Sequence, residues 1–193
     1  MDVLVALGRT LGFSLAAGVN LYATVALIGL AARYEWVVLP EQFRVFDNPW
    51  VIGAAAVLYT VEFVADKVPW IDTIWDTVHT FVRPVGGALI AVAALGEASP
   101  AVEGLVALLG GAVAAGSHVT KAGTRIAANA SPEPFSNWAL SLLEDAFVVG
   151  LGFLTMSFPL VALGISAALL LAMALAARWV WKWIRRRTEM RPA

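Results

Sequence analysis

The chain of 193 residues has no cysteine and only two histidines. Without cysteine it can form no disulfide and offers no thiolate nucleophile or cysteine-ligated metal site, and its redox compartment is left undetermined. Charged residues are also scarce, at 14% of the chain, whereas soluble domains carry about 25%. The net charge of −1 argues against a nucleic-acid partner.

Apolar residues in long uncharged runs are what the sequence has in excess. They make up 60% of the chain, and the mean hydropathy is +0.79. Runs bounded by charge predict membrane spans at 10–32, 49–66, 84–98, 104–122, 137–157 and 159–181. Because there is no alternating pattern of a barrel, we predict an all-α fold, a polytopic transmembrane helical bundle of about six spans. It forms a single transmembrane domain at 1–181, followed by a short basic cytoplasmic tail at 182–193.

The third of these spans is the shortest. Its apolar part runs only from Pro84 to Gly96, below the roughly 20 residues that cross a bilayer. It therefore either includes the preceding stretch from Trp75 or enters and leaves on one side. The uncharged run at 146–177 is too long for a single crossing, and Pro159 predicts that two helices meet there.

The basic residues predict the orientation of the chain. If both termini lie inside, all of the 13 Lys and Arg residues except Arg33 and Arg44 fall on the inner side, as the positive-inside bias requires. Trp and Arg residues near the C-terminus are typical of an anchor that contacts lipid headgroups. We predict a multi-pass protein of the bacterial inner (cytoplasmic) membrane, with both termini cytoplasmic and membrane lipids as partners.

Charged residues lie in or beside several spans, although one such residue at the centre of a span costs about 2.5–3.5 kcal/mol. Glu62 and Asp66, the acidic pair, are one helical turn apart and need a cation, a proton or basic partners. Two further sets each follow one helix face. The first stripe is Asp72, Asp76, His79 and Arg83, and the second stripe is His118, Lys121, Arg125 and Asn129.

Three polar residues lie deeper in the predicted spans. Glu144 and Asp145 come about two turns into the fifth span, on an otherwise apolar helix. Asn20 follows Gly18 near the middle of the first span. Three interpretations of these two residues are open: they loosen the helix, they cap a half-helix, or they form a helix-packing contact, which is the simplest of the three. We include Asn20, Glu144 and Asp145 with the acidic pair and both stripes as candidate binding residues for a substrate or ion.

Two interpretations of the charged residues stay open. Mutual salt bridges satisfy them without a ligand, yet buried ion pairs add little stability over apolar residues, so their number suggests a functional site. For the first stripe alone we expect a solvated amphipathic helix on the cytoplasmic side. Asp76 and His79 have the spacing of di-metal helices, but no second motif accompanies them. We therefore predict no metal site and no cofactor.

The leading functional hypothesis is a small transporter or channel-like protein for a small ion or solute. In it, the acidic residues of the pair and first stripe face the basic residues of the second stripe around a polar cavity open to the cytoplasm. One alternative is a membrane-embedded enzyme or lipid-handling protein that binds a phosphate headgroup, with His79 or Glu144 for proton transfer. The other is an accessory subunit whose charges serve assembly. No catalytic motif is present, so an enzyme is less favoured, and a homo-oligomer is left open.

Two segments form a faint internal repeat. The spacing Glu62-x-x-x-Asp66-x-x-Pro69 parallels Arg125-x-x-x-Asn129-x-x-Pro132. A repeat related by a pseudo-two-fold axis normal to the membrane would bring the acidic and basic stripes face to face, as in many transporters.

Several short motifs carry a resemblance to a known family. They are GVNLY at 18–22, NPWV at 48–51, VEFVADKVPW at 61–70, HTFVRP at 79–84, KAGTR at 121–125 and SPEPFSN at 131–137. Together they resemble a family of small bacterial membrane proteins described only as a domain of unknown function. The resemblance covers most of the chain and implies a membrane location and a shared set of polar residues. It implies no mechanism.

Overall fold

A computed structural model of the chain describes residues 2–130 and 135–189, and within them it is entirely helical. The helices are α1 (Val3–Val19), α2 (Leu21–Arg33), a short 3₁₀ helix (Glu41–Phe46), α3 (Pro49–Ala65), α4 (Pro69–Leu95), α5 (Pro100–Asn129), α6 (Phe135–Ser157) and α7 (Pro159–Glu189). The all-α prediction is thus confirmed for these residues. Pro132 of the predicted repeat, the Ser131–Pro134 part of the last motif and residues 190–193 of the predicted tail lie outside the described residues.

Four of the helices are long and apolar enough to cross a membrane: α4, α5, α6 and the Pro159–Arg187 part of α7. The helices α1, α2 and α3 are apolar but shorter. Helix α4 runs unbroken through Pro84, so the stretch from Trp75 belongs to the same helix as the third predicted span. Helices α6 and α7 meet at Phe158, next to the predicted break at Pro159. Helix α7 continues through residue 181 into the basic segment.

The predicted first span is divided at Asn20. This residue has an extended backbone, with φ −147° and ψ 101°, and it ends α1 and begins α2. Its backbone N–H donates to the Ala16 carbonyl at 2.9 Å, and its Oδ1 accepts from the Ala23 N–H at 2.9 Å. Asn20 therefore caps both half-helices, because it satisfies backbone groups that the break would leave unpaired. The interpretation as a half-helix cap is the one that the structure supports.

Helix α1 occupies the centre of the bundle and packs against α4, α5, α6 and α7. Its side chains Phe13 and Leu15 are fully or almost fully buried. Large apolar side chains on α5 and α7, such as Leu108 and Leu171, are exposed, as expected for contact with lipid. Charged residues such as Arg83 are instead buried inside the bundle.

Helices α4 and α5 approach each other closely through small residues. A Cβ atom on Gly110 of α5 would collide with Ala91 Cβ and lie 3.0 Å from both the Gly87 carbonyl oxygen and Ser14 Oγ. Small residues at such a crossing let two helix backbones pack tightly. This contact sets the two helices side by side, and the first and second stripes face each other along them.

Candidate functional site

The first stripe points into the bundle and not into solvent. Asp72, Asp76, His79 and Arg83 are between 0% and 5% exposed, so the expectation that this face of the helix is solvated is wrong. The reason is the close packing of α4 on α5, which places the second stripe opposite the first. Opposite charges and hydrogen-bonding groups there replace water as partners.

The acidic pair at the end of α3 is held by bases from α4 and α5. Arg83 donates to Glu62 Oε1 at 2.7 Å. Lys121 donates to the same oxygen at 3.2 Å and to Asp66 Oδ2 at 3.2 Å. The two like charges predicted from the sequence are thus bridged by basic partners.

Arg125 is the most highly connected of the bases. Its Nη2 donates to Asp66 Oδ2 at 2.7 Å and to Glu144 Oε2 at 2.8 Å, and its Nε donates to Glu144 Oε2 at 3.1 Å. Its Nη1 donates to Asn137 Oδ1 at 2.7 Å and to the Asp66 carbonyl at 2.9 Å. Planar guanidinium groups are well suited to such simultaneous contacts. Arg125 therefore joins α3, α5 and α6.

Asn137 is a site residue that the sequence did not reveal. Besides its contact with Arg125, it donates to the Asp66 carbonyl at 3.1 Å. Its only sequence signal is its position in the last quoted motif, directly after the Pro-rich connector. A single amide has no periodicity that would set it apart from a helix cap or a loop residue.

The two histidines form hydrogen bonds in different parts of the site. Arg83 Nη1 lies 2.6 Å from His118 Nδ1, and Thr80 Oγ1 lies 3.0 Å from His118 Nε2. Because a guanidinium can only donate, His118 is neutral and carries its proton on Nε2. His79 donates from Nδ1 to the Trp75 carbonyl at 2.7 Å, and its Nε2 lies 2.9 Å from the Tyr22 hydroxyl. Tyr22 was not among the predicted site residues.

The remaining predicted residues lie at the edge of this network. Asn129 donates to Asp72 Oδ2 at 2.7 Å, and Asn20 donates to Asp145 Oδ1 at 3.4 Å. Lys67, which was not a predicted site residue, lies beside them in the connection between α3 and α4. Desolvation by burial lowers its pKa, although the carboxylates of Asp145 and Asp66 act in the opposite direction. All the predicted site residues thus converge on one region, while their role in binding stays a prediction.

The ionised groups at the centre of the site do not balance. Counted over the described residues, ion pairs of 4.0 Å or less connect five carboxylates to only three cations, which leaves a charge of −2 when all are ionised. We call these eight residues the charged cluster: Glu62, Asp66, Asp72, Asp76, Glu144, Arg83, Lys121 and Arg125.

Each carboxylate of the charged cluster also has an oxygen that accepts no hydrogen bond from the described residues, although Asp76 Oδ1 lies 3.3 Å from Arg83 Nη1 and Asp72 Oδ1 lies 4.0 Å from Arg125 Nε. In the part of the chain that the structure describes, one buried oxygen of each has no hydrogen-bond partner: Glu62 Oε2, Asp66 Oδ1, Asp72 Oδ1, Asp76 Oδ1 and Glu144 Oε1. Buried polar atoms are normally paired. The charge surplus is therefore matched by unused acceptors.

A small cavity of about 100 Å³ opens between α4 and α5. Asp72, Asp76 and Asn129 are among its lining residues, and each of them has a buried oxygen without a hydrogen-bond partner among the described residues. Within residues 2–130 and 135–189, however, no three His, Asp or Glu side chains are grouped to hold a metal ion.

Comparison with known proteins places the chain in a family. No curated protein and no solved structure matches it. The model of one family, described as "Domain of unknown function (DUF4126)", matches residues 7–179 and so includes the entire charged cluster. The chain belongs to this family of domains of unknown function.

Proposed function

We propose that the protein is a small transporter or channel-like membrane protein that binds a small cation at the charged cluster. The observation that carries this proposal is the excess of five buried carboxylates over three cations, which amounts to two surplus negative charges when all are ionised. An uncompensated charge taken out of water costs several kcal/mol, so a network that served only stability would gain by being neutral. The surplus favours protons or cations that arrive from outside the protein.

The cavity between α4 and α5 supports a small substrate. Asp72, Asp76 and Asn129 are among its lining residues, and oxygen donors suit hard cations. A volume of about 100 Å³ leaves room for an ion with part of its hydration shell, since a water takes up about 30 Å³ in the liquid.

The break at Asn20 also supports transport. Discontinuous helices commonly border the binding sites of transporters, because their ends offer free backbone groups inside the membrane. Here Arg83 donates to the carbonyl of Gly18, in the last turn of α1, at 3.3 Å. Asn20 in turn contacts Asp145. The broken helix is thus tied both to the charged cluster and to α6.

We further propose that the chain makes five passes through a bacterial inner membrane, with its C-terminus in the cytoplasm and with α1 and α2 as a hairpin that enters and leaves on one side. In support, Arg9 of α1 donates to the carbonyl of Val38, beyond the end of α2, at 3.3 Å, and the rings of Phe13 and Phe43 lie 5.5 Å apart. The start of α1 then lies on the side of the connection after α2, in place of the six passes and cytoplasmic N-terminus expected from the sequence. This arrangement agrees with the distribution of Lys and Arg and puts the charged cluster near the cytoplasmic ends of the helices. A pseudo-two-fold repeat relating the acidic pair to the second stripe remains part of this proposal.

A phosphate headgroup at the second stripe, the alternative from the sequence, has less support. The guanidinium nitrogens of Arg125 all donate to protein oxygens, and Lys121 lies within 4.0 Å of three carboxylates. A phosphate would have to displace these acids and add charge of the sign already in excess. The third hypothesis, an accessory subunit, predicts no flux by the protein alone.

Reconstitution into liposomes tests the proposal. Indicators trapped inside would report H⁺, Na⁺, K⁺ and Mg²⁺ in turn, and we expect flux of at least one of them. Glu62→Gln and Arg125→Ala should abolish it, whereas Glu97→Gln, at an exposed position between α4 and α5, should not. Unchanged flux in both cluster variants would remove the site assignment, and absence of flux in the wild type would favour the accessory subunit.

A further inference from the structure

A second opening is a mostly apolar groove of about 270 Å³, lined by residues of α1, α5, α6 and α7, among them Met173. Its polar lining residues are Ser117, Thr120, Lys121, Thr124 and Glu144. We call it the lateral groove.

The hydroxyl groups of the lateral groove have used their hydrogens. Ser117 donates to the Leu15 carbonyl at 2.9 Å, Thr120 to the Gly116 carbonyl at 2.9 Å, and Thr124 to the Lys121 carbonyl at 2.7 Å. Each hydroxyl has one proton and two acceptor lone pairs. Toward an occupant of the groove these three side chains therefore act as acceptors.

Of the two charged side chains of the groove, Glu144 also offers an acceptor, whereas the ammonium of Lys121 is engaged with carboxylates of the charged cluster. All the hydrogen bonds that the structure gives Glu144 fall on Oε2, and its Oε1 is buried with no partner among the described residues. Lys121 is 4% exposed and has its ammonium among Glu62, Asp66 and Glu144. The groove thus combines an apolar wall with free acceptors, next to a cluster with a negative surplus.

We propose that the lateral groove binds an amphiphilic amine, with its ammonium donating to Glu144 and its single apolar chain lying along α6 and α7. An N–H cation donates to the acceptors of the groove and reduces the formal charge surplus of the cluster, whereas an anionic head does neither. The volume lies just below the 300–1,000 Å³ usual for drug-sized ligands, which fits one chain. This inference shares the charge surplus with the proposed function but concerns a separate opening.

Binding of radiolabelled decylamine to the full chain in phosphatidylcholine nanodiscs tests the inference, with empty nanodiscs as the background. We expect saturable binding of one molecule per chain. Decyl phosphate and decanol have the same tail, and we expect each to compete at least tenfold more weakly. Equal competition by decyl phosphate would overturn the proposal, because the groove would then select only an apolar chain.

Two pairs of variants locate the site. Met173→Trp fills the groove and should weaken decylamine binding at least tenfold, while Leu171→Trp, on the exposed face of α7, should leave it unchanged. Glu144→Gln should weaken binding similarly, and Glu97→Gln should not. Wild-type affinity in Met173→Trp and Glu144→Gln would refute the inference. Loss of decylamine binding in Met173→Trp with cation flux intact would separate the groove from the transport proposal.

Discussion

Arg83 and Glu62 form an ion pair of 2.7 Å in which neither side chain has any exposed surface. The two residues differ in the further charged partners that surround them. Glu62 is also bound by Lys121 at 3.2 Å, whereas Arg83 is the only cation of the charged cluster within 4.0 Å of Asp76. The cluster as a whole has fewer cations than carboxylates, so its bases and acids should differ in how well they tolerate removal.

We therefore expect Arg83→Gln to destabilise the protein far more than Glu62→Gln. Loss of the guanidinium leaves two buried carboxylates short of a partner, at a cost of about 3–5 kcal/mol. Loss of the Glu62 charge reduces the surplus, and the Gln oxygen still accepts from Arg83. Thermal unfolding of both variants in the same detergent measures the difference. Equal losses would mean that the cluster is effectively neutral in the folded protein.

A second prediction concerns the cavity between α4 and α5. If Asp72 and Asp76 bind a cation there, that cation should raise the unfolding temperature of the wild type, because a ligand at 100 times its Kd stabilises the folded state by about 2.7 kcal/mol. The double variant Asp72→Asn/Asp76→Asn should lose the effect. Scans in NaCl, KCl and MgCl₂ would identify the cation.

Choline chloride at matched ionic strength is the control for this experiment, since choline is too large for the cavity but screens charge as well as Na⁺ does. Stabilisation by choline equal to that by the metal salts would assign the effect to screening. The same stabilisation by a metal salt in the double variant would exclude the cavity as the site.

The helix contact that aligns the two stripes gives a third prediction. On α5, Gly110→Ala should lower the unfolding temperature, because the new Cβ would meet Ala91 Cβ and the Gly87 backbone. Gly104→Ala on the same helix has nothing within 4 Å of its new Cβ. It should be neutral or stabilising by up to about 1 kcal/mol from helix propensity. Similar unfolding temperatures in the two variants would show that α4 and α5 are not as close as described.

The periodicity of the sequence identifies both stripes, but it does not determine whether the first stripe faces solvent or another helix. A stripe of alternating polar and apolar sides, such as Asp72 to Arg83, looks the same whether water or another helix covers it. The partner that decides the question, the second stripe, comes 35 residues or more later in the chain. The hydrogen bond from Arg83 to His118 is one such distant contact.

Periodicity also gives no information about features that depend on a single residue or on which charged groups are close together in the fold. Asn20 was recognisable as unusual, but a packing contact and a helix break have the same sequence, and only the backbone angles distinguish them. Tyr22 and Asn137 have no periodic partners and were missed. The formal surplus of two negative charges depends on which ionisable groups lie within ion-pair distance of one another. The net charge of −1 for the whole chain does not reveal it.

The absence of cysteine allows a direct test of the proposed orientation, because any thiol introduced is the only one in the chain. Val38→Cys, in the connection after α2, and Ser99→Cys, before α5, are at exposed positions and should react with a membrane-impermeant maleimide in intact cells. Trp70→Cys, exposed at the start of α4, should react only after the cells are permeabilised. The expectation follows from the Lys and Arg distribution, which places residue 70 inside.

The pattern of labelling also tests the number of passes. Val38 and Trp70 are separated only by the 3₁₀ helix and α3, so labelling of both from the same side would mean that α3 does not cross the membrane. Val38 and Ser99 are separated by α3 and α4, so labelling of only one from outside would mean that one of these two helices fails to cross. A fully inverted pattern would keep all passes but reverse the orientation, and the cavity between α4 and α5 would then open to the outside of the cell.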